Sequence, residues 1–275
     1  MNIQEIVQIL VNSGIEYNEA VKEVKMLMEY FCNYTEKDII MGNPPDYEKL
    51  KIVKQKAEIR AKTRMPIQYI IGRAYFMGNY YKVTPDVLIP RDETEIIVRH
   101  AIDIINKNNL KTVLDIGTGS GCIACSISEN TNCNVTSSDI SVSALDIAKE
   151  NAKHLYQEVR FVESDLFSSI RNEKFDLIIS NPPYIPKNTE LQKEVLFEPK
   201  RALFTEDENG IEYYEKIIDE GRKYLNRNGY IVFELGINQS ELVKSCFEQN
   251  NYTNITVEKD LAQIDRVISA QYTSV

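Results

Sequence analysis

A chain of 275 residues allows one large or two modest domains with a sizeable core, and no apolar stretch in it approaches the span of a membrane helix. Lys and Arg number 32 against 41 Asp and Glu, a net charge of −9. That balance argues against free duplex or RNA as a substrate, which demands a basic footprint, and suits a protein partner that offers a basic loop.

Met1-Asn2-Ile3-Gln4-Glu5 lacks the positive start and apolar core of a signal peptide, so a cytoplasmic protein is expected. Ile3, Ile6, Val7 and Leu10 recur at helical spacing, as do Ala20, Val21, Val24, Leu27, Met28 and Phe31. Asn43-Pro44-Pro45-Asp46 breaks the pattern. Tyr47 to Lys62 then reads as a further amphipathic helix whose Lys and Glu form a solvated face. Residues 1–72 are thus expected to form a small helical domain. Tyr75 to Val83 is rich in aromatics, with Gly78-Asn79 at its centre, which predicts a β-hairpin inside a linker, residues 73–90. A helix from Glu93 to Ile105 opens the second expected domain, residues 91–275. Its His100, like His154 further on, stands alone on a helical pattern and reads as a surface or packing residue.

From Thr112 on, apolar runs alternate with helical stretches, which implies a mostly parallel sheet with right-handed crossovers. The first run, Thr112 to Ile116, leads into Gly117-Thr118-Gly119-Ser120-Gly121 and a helix start at Cys122. Glycines permit positive φ and close approach of a ligand to the backbone. The spacing is tighter than the dinucleotide fingerprint, and the Gly-Lys-Ser/Thr of a phosphate loop is missing. Cys122 and Cys125 lie on the following helix with no second Cys or His pair to complete a zinc site, so packing is expected of them and no metal. The second run, Asn134 to Asp139, ends in an acid roughly 20 residues on, where doubly wound folds place the carboxylate that binds ribose hydroxyls. The alternative for Asp139 is to cap a helix beginning at Ser141. A third run, Val159 to Asp165, ends in another acid.

The fourth run, Phe175 to Ser180, stops at Asn181-Pro182-Pro183-Tyr184. Two prolines cannot continue a central strand, because each lacks an N–H donor and fixes its own φ. A stiff turn results, with a carboxamide at its head and an aromatic ring at its tail. That suits a planar amide or amino group: the Asn181 oxygen and the Pro182 carbonyl can accept both N–H protons while the Tyr184 ring packs on the flat face. In an open α/β sheet the carboxyl ends of neighbouring strands share one crevice. The glycine loop, Asp139, Asp165 and this turn are therefore expected to converge on a single site. Gly229 to Glu234 and Ala262 to Ala270 read as the final strands.

Together these features resemble a class I S-adenosylmethionine-dependent methyltransferase acting on planar nitrogens, and more narrowly the HemK-type release factor glutamine methyltransferases. The resemblance runs through Pro66-Ile67-Gln68-Tyr69-Ile70-Ile71-Gly72, Val87 to Glu95, the glycine loop and the Asn-Pro-Pro-Tyr turn. It continues through Glu198-Pro199-Lys200-Arg201-Ala202-Leu203, Phe233-Glu234-Leu235-Gly236 and Asp260 to Arg266. It implies a Rossmann-like, mostly parallel sheet with a small N-terminal helical domain joined by a β-hairpin. It also implies S-adenosylmethionine as methyl donor and S-adenosylhomocysteine as product. Gly117, Thr118, Gly119, Ser120, Gly121, Asp139, Asp165, Leu166 and Asn181 would hold the cofactor. Leu166 stands where relatives often carry a bulky aromatic, a change that leaves a backbone contact to adenine open. Asn181, Pro182, Pro183 and Tyr184 would bind the substrate, with Asn181, Pro182 and Tyr184 catalytic. Arg91, Glu93 and Thr94 would either close over the cofactor or cap the helix that begins there. The implied partner is a class 1 peptide chain release factor, methylated on the glutamine of its Gly-Gly-Gln motif, with no direct nucleic acid or membrane partner.

The methyl of a sulfonium cation is already activated, so the protein mainly has to hold a nucleophile in line. An amide nitrogen is a poor nucleophile because its lone pair is shared with the carbonyl. Accepting both of its N–H protons pushes density back onto nitrogen, an electrostatic and positional effect with no obvious general base. The main rival is a nucleic acid amino-methyltransferase that turns an unstacked adenine or guanine toward the same motif. The acidic charge and the lack of a basic, aromatic-laced segment oppose it. A cofactor-binding assembly factor without catalysis is a third reading, opposed by the intact turn.

Overall fold

The computed structural model describes residues 2–273. Residue 1 of the expected helical domain and residues 274–275 of the expected catalytic domain lie outside the described residues. The chain divides into two compact units, one of Met1–Arg73 with Leu191–Phe197, the other of Ala74–Glu190 with Glu198–Val275.

The first unit holds helices α1 (Ile3–Asn12), α2 (Tyr17–Cys32), α3 (Glu36–Met41), α4 (Tyr47–Thr63) and α5 (Ile67–Ile71). Side chains that accept from free N–H groups of the first turn start three of them: Asn2 for α1, Glu16 for α2 and Asp46 for α4. The apolar stripe read from the sequence becomes the core, where Ile6, Leu10, Ala20, Val24 and Leu27 meet Leu50, Val53 and Ala57. Most Lys and Glu of α4 face solvent as expected. Arg60 is the exception. It is buried, its Nε lies 3.0 Å from both carboxylate oxygens of Glu23, and its Nη1 donates to Glu194 at 3.0 Å.

The second unit opens at Ala74, inside the hairpin of β1 (Arg73–Phe76) and β2 (Asn79–Lys82). Its turn is Met77-Gly78, one residue earlier than the expected centre, and both residues have positive φ, 47° and 87°. There follow α6 (Thr94–Asn108), β3 (Thr112–Ile116), α7 (Cys122–Asn130), β4 (Asn134–Asp139), α8 (Val142–His154), β5 (Val159–Glu163) and β6 (Phe175–Ser180). The remainder comprises β7 (Ile185–Pro186), α9 (Lys200–Leu203), β8 (Phe204–Thr205), α10 (Glu212–Gly221), β9 (Leu225–Glu234), α11 (Ser240–Gln249), β10 (Tyr252–Lys259) and β11 (Asp265–Tyr272).

The main sheet has the order β10-β11-β9-β6-β3-β4-β5, and it is parallel from β9 to β5. Both faces of β6 are covered, so Leu177, Ile178 and Ile179 are all fully buried in succession. Helices α6 and α7 pack on one face through Ile97, Val98 and Ile123, and α10 and α11 on the other through Ile217, Ile218 and Phe247. In this sheet β11 alone is reversed, pairing antiparallel with β9 on one side and with β10 on the other. The last expected strand, from Ala262, begins instead at Asp265, because the Asp260 carboxylate accepts from the N–H groups of Ala262 and Ile264 and holds a turn there. Cys122 and Cys125 are buried packing residues, and burial pushes both thiols up to about 12. His154 is exposed, whereas His100 reaches Glu258 at 2.8 Å and Ser269 at 2.9 Å. No helix among the described residues is long and apolar enough to cross a membrane.

Candidate active site

The loop after β3 is built on its neighbour β4. The N–H groups of Gly117 and Thr118 donate to the Ser138 carbonyl at 2.8 and 3.0 Å. Gly117, Gly119 and Gly121 have φ of 75°, 53° and 80°, a region closed to most side chains. At Gly121 there is a second reason for glycine, since a Cβ would sit 3.0 Å from the Ala148 Cβ on α8. Asp139 ties the loop to the end of β4: its Oδ2 accepts from Gly119 N–H at 2.9 Å and its Oδ1 from Ser141 N–H at 2.9 Å. It is not the cap of α8. Ser141 takes that position and accepts from Ala144 N–H with its own hydroxyl. Burial raises the Asp139 carboxyl above its ordinary value, against the pull of those N–H groups and of Arg201. Beneath the loop, burial pushes Asp115 up to about 6, partly offset by the hydroxyls of Thr118 and Ser137.

A cavity of about 520 Å³ lies over the carboxyl ends of these strands. That is within the usual range for a small-molecule site. Gly117, Gly119, Asp139, Asp165, Leu166, Asn181, Pro182 and Pro183 all line it, so the expected convergence is real for these residues. Leu166 has φ of 46° and its carbonyl accepts from the Ser164 hydroxyl at 2.8 Å. Thr118, Ser120, Gly121 and Tyr184 are not among the lining residues. Thr118 and Ser120 point into the protein, where the Ser120 carbonyl accepts from Asn151 Nδ2 at 2.8 Å. Nothing in the sequence marks Asn151, which also pairs with both backbone groups of Lys82 and so ties the hairpin to the loop.

The turn after β6 begins where the Ser180 hydroxyl donates to the Ile116 carbonyl at 2.7 Å. Asn181 Nδ2 donates to the buried Thr94 hydroxyl at 3.4 Å, which fixes the amide and leaves Oδ1 as its acceptor end. The Tyr184 hydroxyl donates to Glu234 Oε1 at 3.4 Å. Of the three residues around the start of α6, none lines the cavity. Arg91 pairs with Glu198, Glu93 stands at the helix start without a side-chain cap, and Thr94 serves Asn181. Lys200, Arg201 and Lys216 also line the cavity; the Arg201 charge acts on Asp139 and that of Asp165 on Lys216. None of the three is assigned a place at the cavity from the sequence, although Lys200 and Arg201 stand in one of the segments that carry the resemblance. Among the described residues, no group of three His, Cys, Asp or Glu is placed to hold a metal ion.

Residues 94–208 match the methyltransferase small domain family. The release factor glutamine methyltransferase of Bacteroides thetaiotaomicron is 39% identical over 245 residues, spanning 86% of this chain and 85% of that protein. The one from Flavobacterium psychrophilum is 34% identical over 257 residues, 90% of each. A solved methyltransferase from Pyrococcus furiosus, 18% identical, superposes with a TM-score of 0.55 over 82% of this chain and 98% of its own, a likeness of fold. Glycine loop, acid after β4 and Asn-Pro-Pro-Tyr turn share one cavity, and identity of a third or more extends across nearly the full length of both relatives; the chain belongs to the family of release factor glutamine methyltransferases.

Proposed function

We propose that this protein transfers the methyl group of S-adenosylmethionine to the side-chain amide nitrogen of the Gly-Gly-Gln glutamine in a class 1 peptide chain release factor. The observation that carries the reading is the meeting of the turn with the glycine loop and Asp139 on one cavity, with Asn181 oriented to accept. The cavity fits the donor. Nothing within 4 Å would meet a side chain at Gly117 or Gly119, so the backbone there can approach a ligand, and Asp139 offers a carboxylate to vicinal hydroxyls. When bound, the donor supplies a methyl already activated on a sulfonium.

The residues of this chain then bind and orient. Gly117, Thr118, Gly119, Ser120 and Gly121 shape the loop, Asp139 takes the ribose side, and Asp165 and Leu166 take the adenine side. Asn181 Oδ1 and the Pro182 carbonyl accept the two N–H protons of the glutamine amide, which turns its nitrogen toward the methyl and enriches it in electron density. Pro183 keeps the turn stiff and Tyr184 closes it. The helical unit is assigned the docking of the release factor. Exposed apolar side chains at Ile40, Met41 and Tyr47 suit that task. A translation factor as substrate also assigns the enzyme to the cytoplasm, without a nucleic acid or membrane partner of its own.

Incubation with labelled donor and either intact release factor or total RNA tests this. Label should enter the release factor at the single glutamine, and Asn181→Ala should abolish most of it while the protein stays folded by circular dichroism. A stranded amide hydrogen bond is worth about 1–3 kcal/mol, so a loss of roughly 5- to 150-fold is expected. Label in RNA alone would establish the rival reading instead.

A further inference from the structure

The two prolines stiffen the turn only at their own φ angles, so its tail has to be anchored by something else. Two buried polar side chains that do not line the cavity hold it. Glu234, at the end of the strand beside β6, accepts from the Tyr184 hydroxyl. Gln239, beyond Gly236, donates from Nε2 to the Tyr184 carbonyl at 2.9 Å and to the Asn209 and Gly210 carbonyls at 2.9 and 3.2 Å. Its Oε1 accepts from Gly236 N–H at 3.0 Å. Tyr184 is therefore gripped at side chain and main chain together. The fit is close: a Cβ on Gly210 would lie 2.1 Å from the Tyr184 carbonyl oxygen, and one on Gly236 2.8 Å from Tyr184 Cδ2. At the head of the turn, the Thr94 hydroxyl takes Asn181 Nδ2.

We propose that Glu234 and Gln239 are positioning residues for the methyl transfer: they fix the tail of the turn so that Asn181 Oδ1 and the Pro182 carbonyl stand where the substrate amide must be held. The proposal rests on the reaction assigned above. Neither residue touches the reacting atoms. Their influence runs through Tyr184, and a displacement of the turn by 1 Å is enough to lose on the order of 100-fold in rate.

The test uses the full-length protein and intact release factor, with kcat and KM, donor affinity by calorimetry, and hydrogen exchange at the amides of Tyr184 and Ile185. Glu234→Leu and Gln239→Met should lower kcat on the order of 100-fold, leave donor affinity within about twofold, and raise exchange at both amides. Glu234→Gln should recover most of the rate, because its carboxamide oxygen still accepts from the Tyr184 hydroxyl. Tyr184→Phe combined with Glu234→Leu should be no worse than the stronger single change. Donor affinity falling in step with kcat, or kcat lost with exchange unchanged, would overturn the proposal. If Gln239→Met does not fold, the Glu234 and Tyr184 variants decide it. If the wild type leaves release factor unmethylated, the assigned reaction is wrong, and exchange still reports whether the two residues hold the turn.

Discussion

Two carboxyls in this fold sit where a charge is expensive. Burial pushes Glu234 from 4.5 up to about 7, with Thr94 partly offsetting it, and Asp115 from 3.8 up to about 6. A carboxyl raised in the folded state favours folding while both states are protonated, below the unfolded value. That advantage is lost as pH rises through the folded value. For Glu234 the window runs from 4.5 to about 7, and the difference amounts to about 3 kcal/mol. Urea unfolding of Glu234→Gln should therefore show the variant more stable than wild type by up to about 3 kcal/mol at pH 8, with most of the gap gone at pH 5. An equal gap at both pH values would mean that Glu234 does not titrate in this window. Asp139 works differently, since it holds two N–H groups at the cavity wall. Asp139→Ala should weaken donor binding by roughly 10- to 100-fold, the worth of one or two charged hydrogen bonds, and slow the bound-state rate less. Calorimetry with unchanged affinity would remove Asp139 from the ribose side.

At the scale of elements, legibility followed burial. β3 and β6 begin and end where their apolar runs do, because central parallel strands are buried on both faces and need a nearly continuous run. β10 carries no such mark. It is an edge strand paired only with β11, and Thr253, Asn254 and Val257 to Lys259 are exposed, so its sequence shows no apolar face. The Asn-Pro-Pro-Tyr turn was legible because proline has few uses after a strand. Its anchor Gln239 was not, nor was Asn151 behind the glycine loop, because one buried carboxamide produces no periodicity. The glycine loop adds a prediction of its own. Gly121→Ala meets both a positive φ and the Ala148 side chain, and α7 starts there. It should destabilise the fold by about 1–3 kcal/mol and weaken donor binding through the displaced loop. Thermal unfolding and calorimetry check the two effects, and a melting temperature unchanged by Gly121→Ala would show that α7 and α8 have room to separate.

For the whole molecule, the informative feature is which part of the chain completes the helical unit. Leu191–Phe197 lies far along the sequence, beyond the Asn-Pro-Pro-Tyr turn, yet it belongs to the compact unit of the first 73 residues. Glu194 explains the membership: it takes Arg60 at 3.0 Å and Arg64 at 2.5 Å, and Arg60 is buried with Glu23 as its other partner. A buried ion pair that loses one member leaves an uncompensated charge, worth about 3–5 kcal/mol. Nothing in the sequence marks this, since Arg60 stands in a helix full of Lys and Glu and its partner is 134 residues away. The consequence concerns a chain beginning at Tyr75. It keeps every residue that lines the cavity, so it should still bind donor. It loses the exposed apolar side chains of α3 and α4, and it leaves Glu194 without Arg60 and Arg64. On the proposed reading any glutamine amide satisfies the turn, and selectivity for the folded release factor resides in the missing unit. The shortened enzyme should therefore methylate intact release factor little better than a short Gly-Gly-Gln peptide, and limited proteolysis should cut it between residues 187 and 198, where the full-length protein resists. If the shortened chain, folded by circular dichroism, methylates intact release factor at the full-length rate, then docking does not reside in the helical unit.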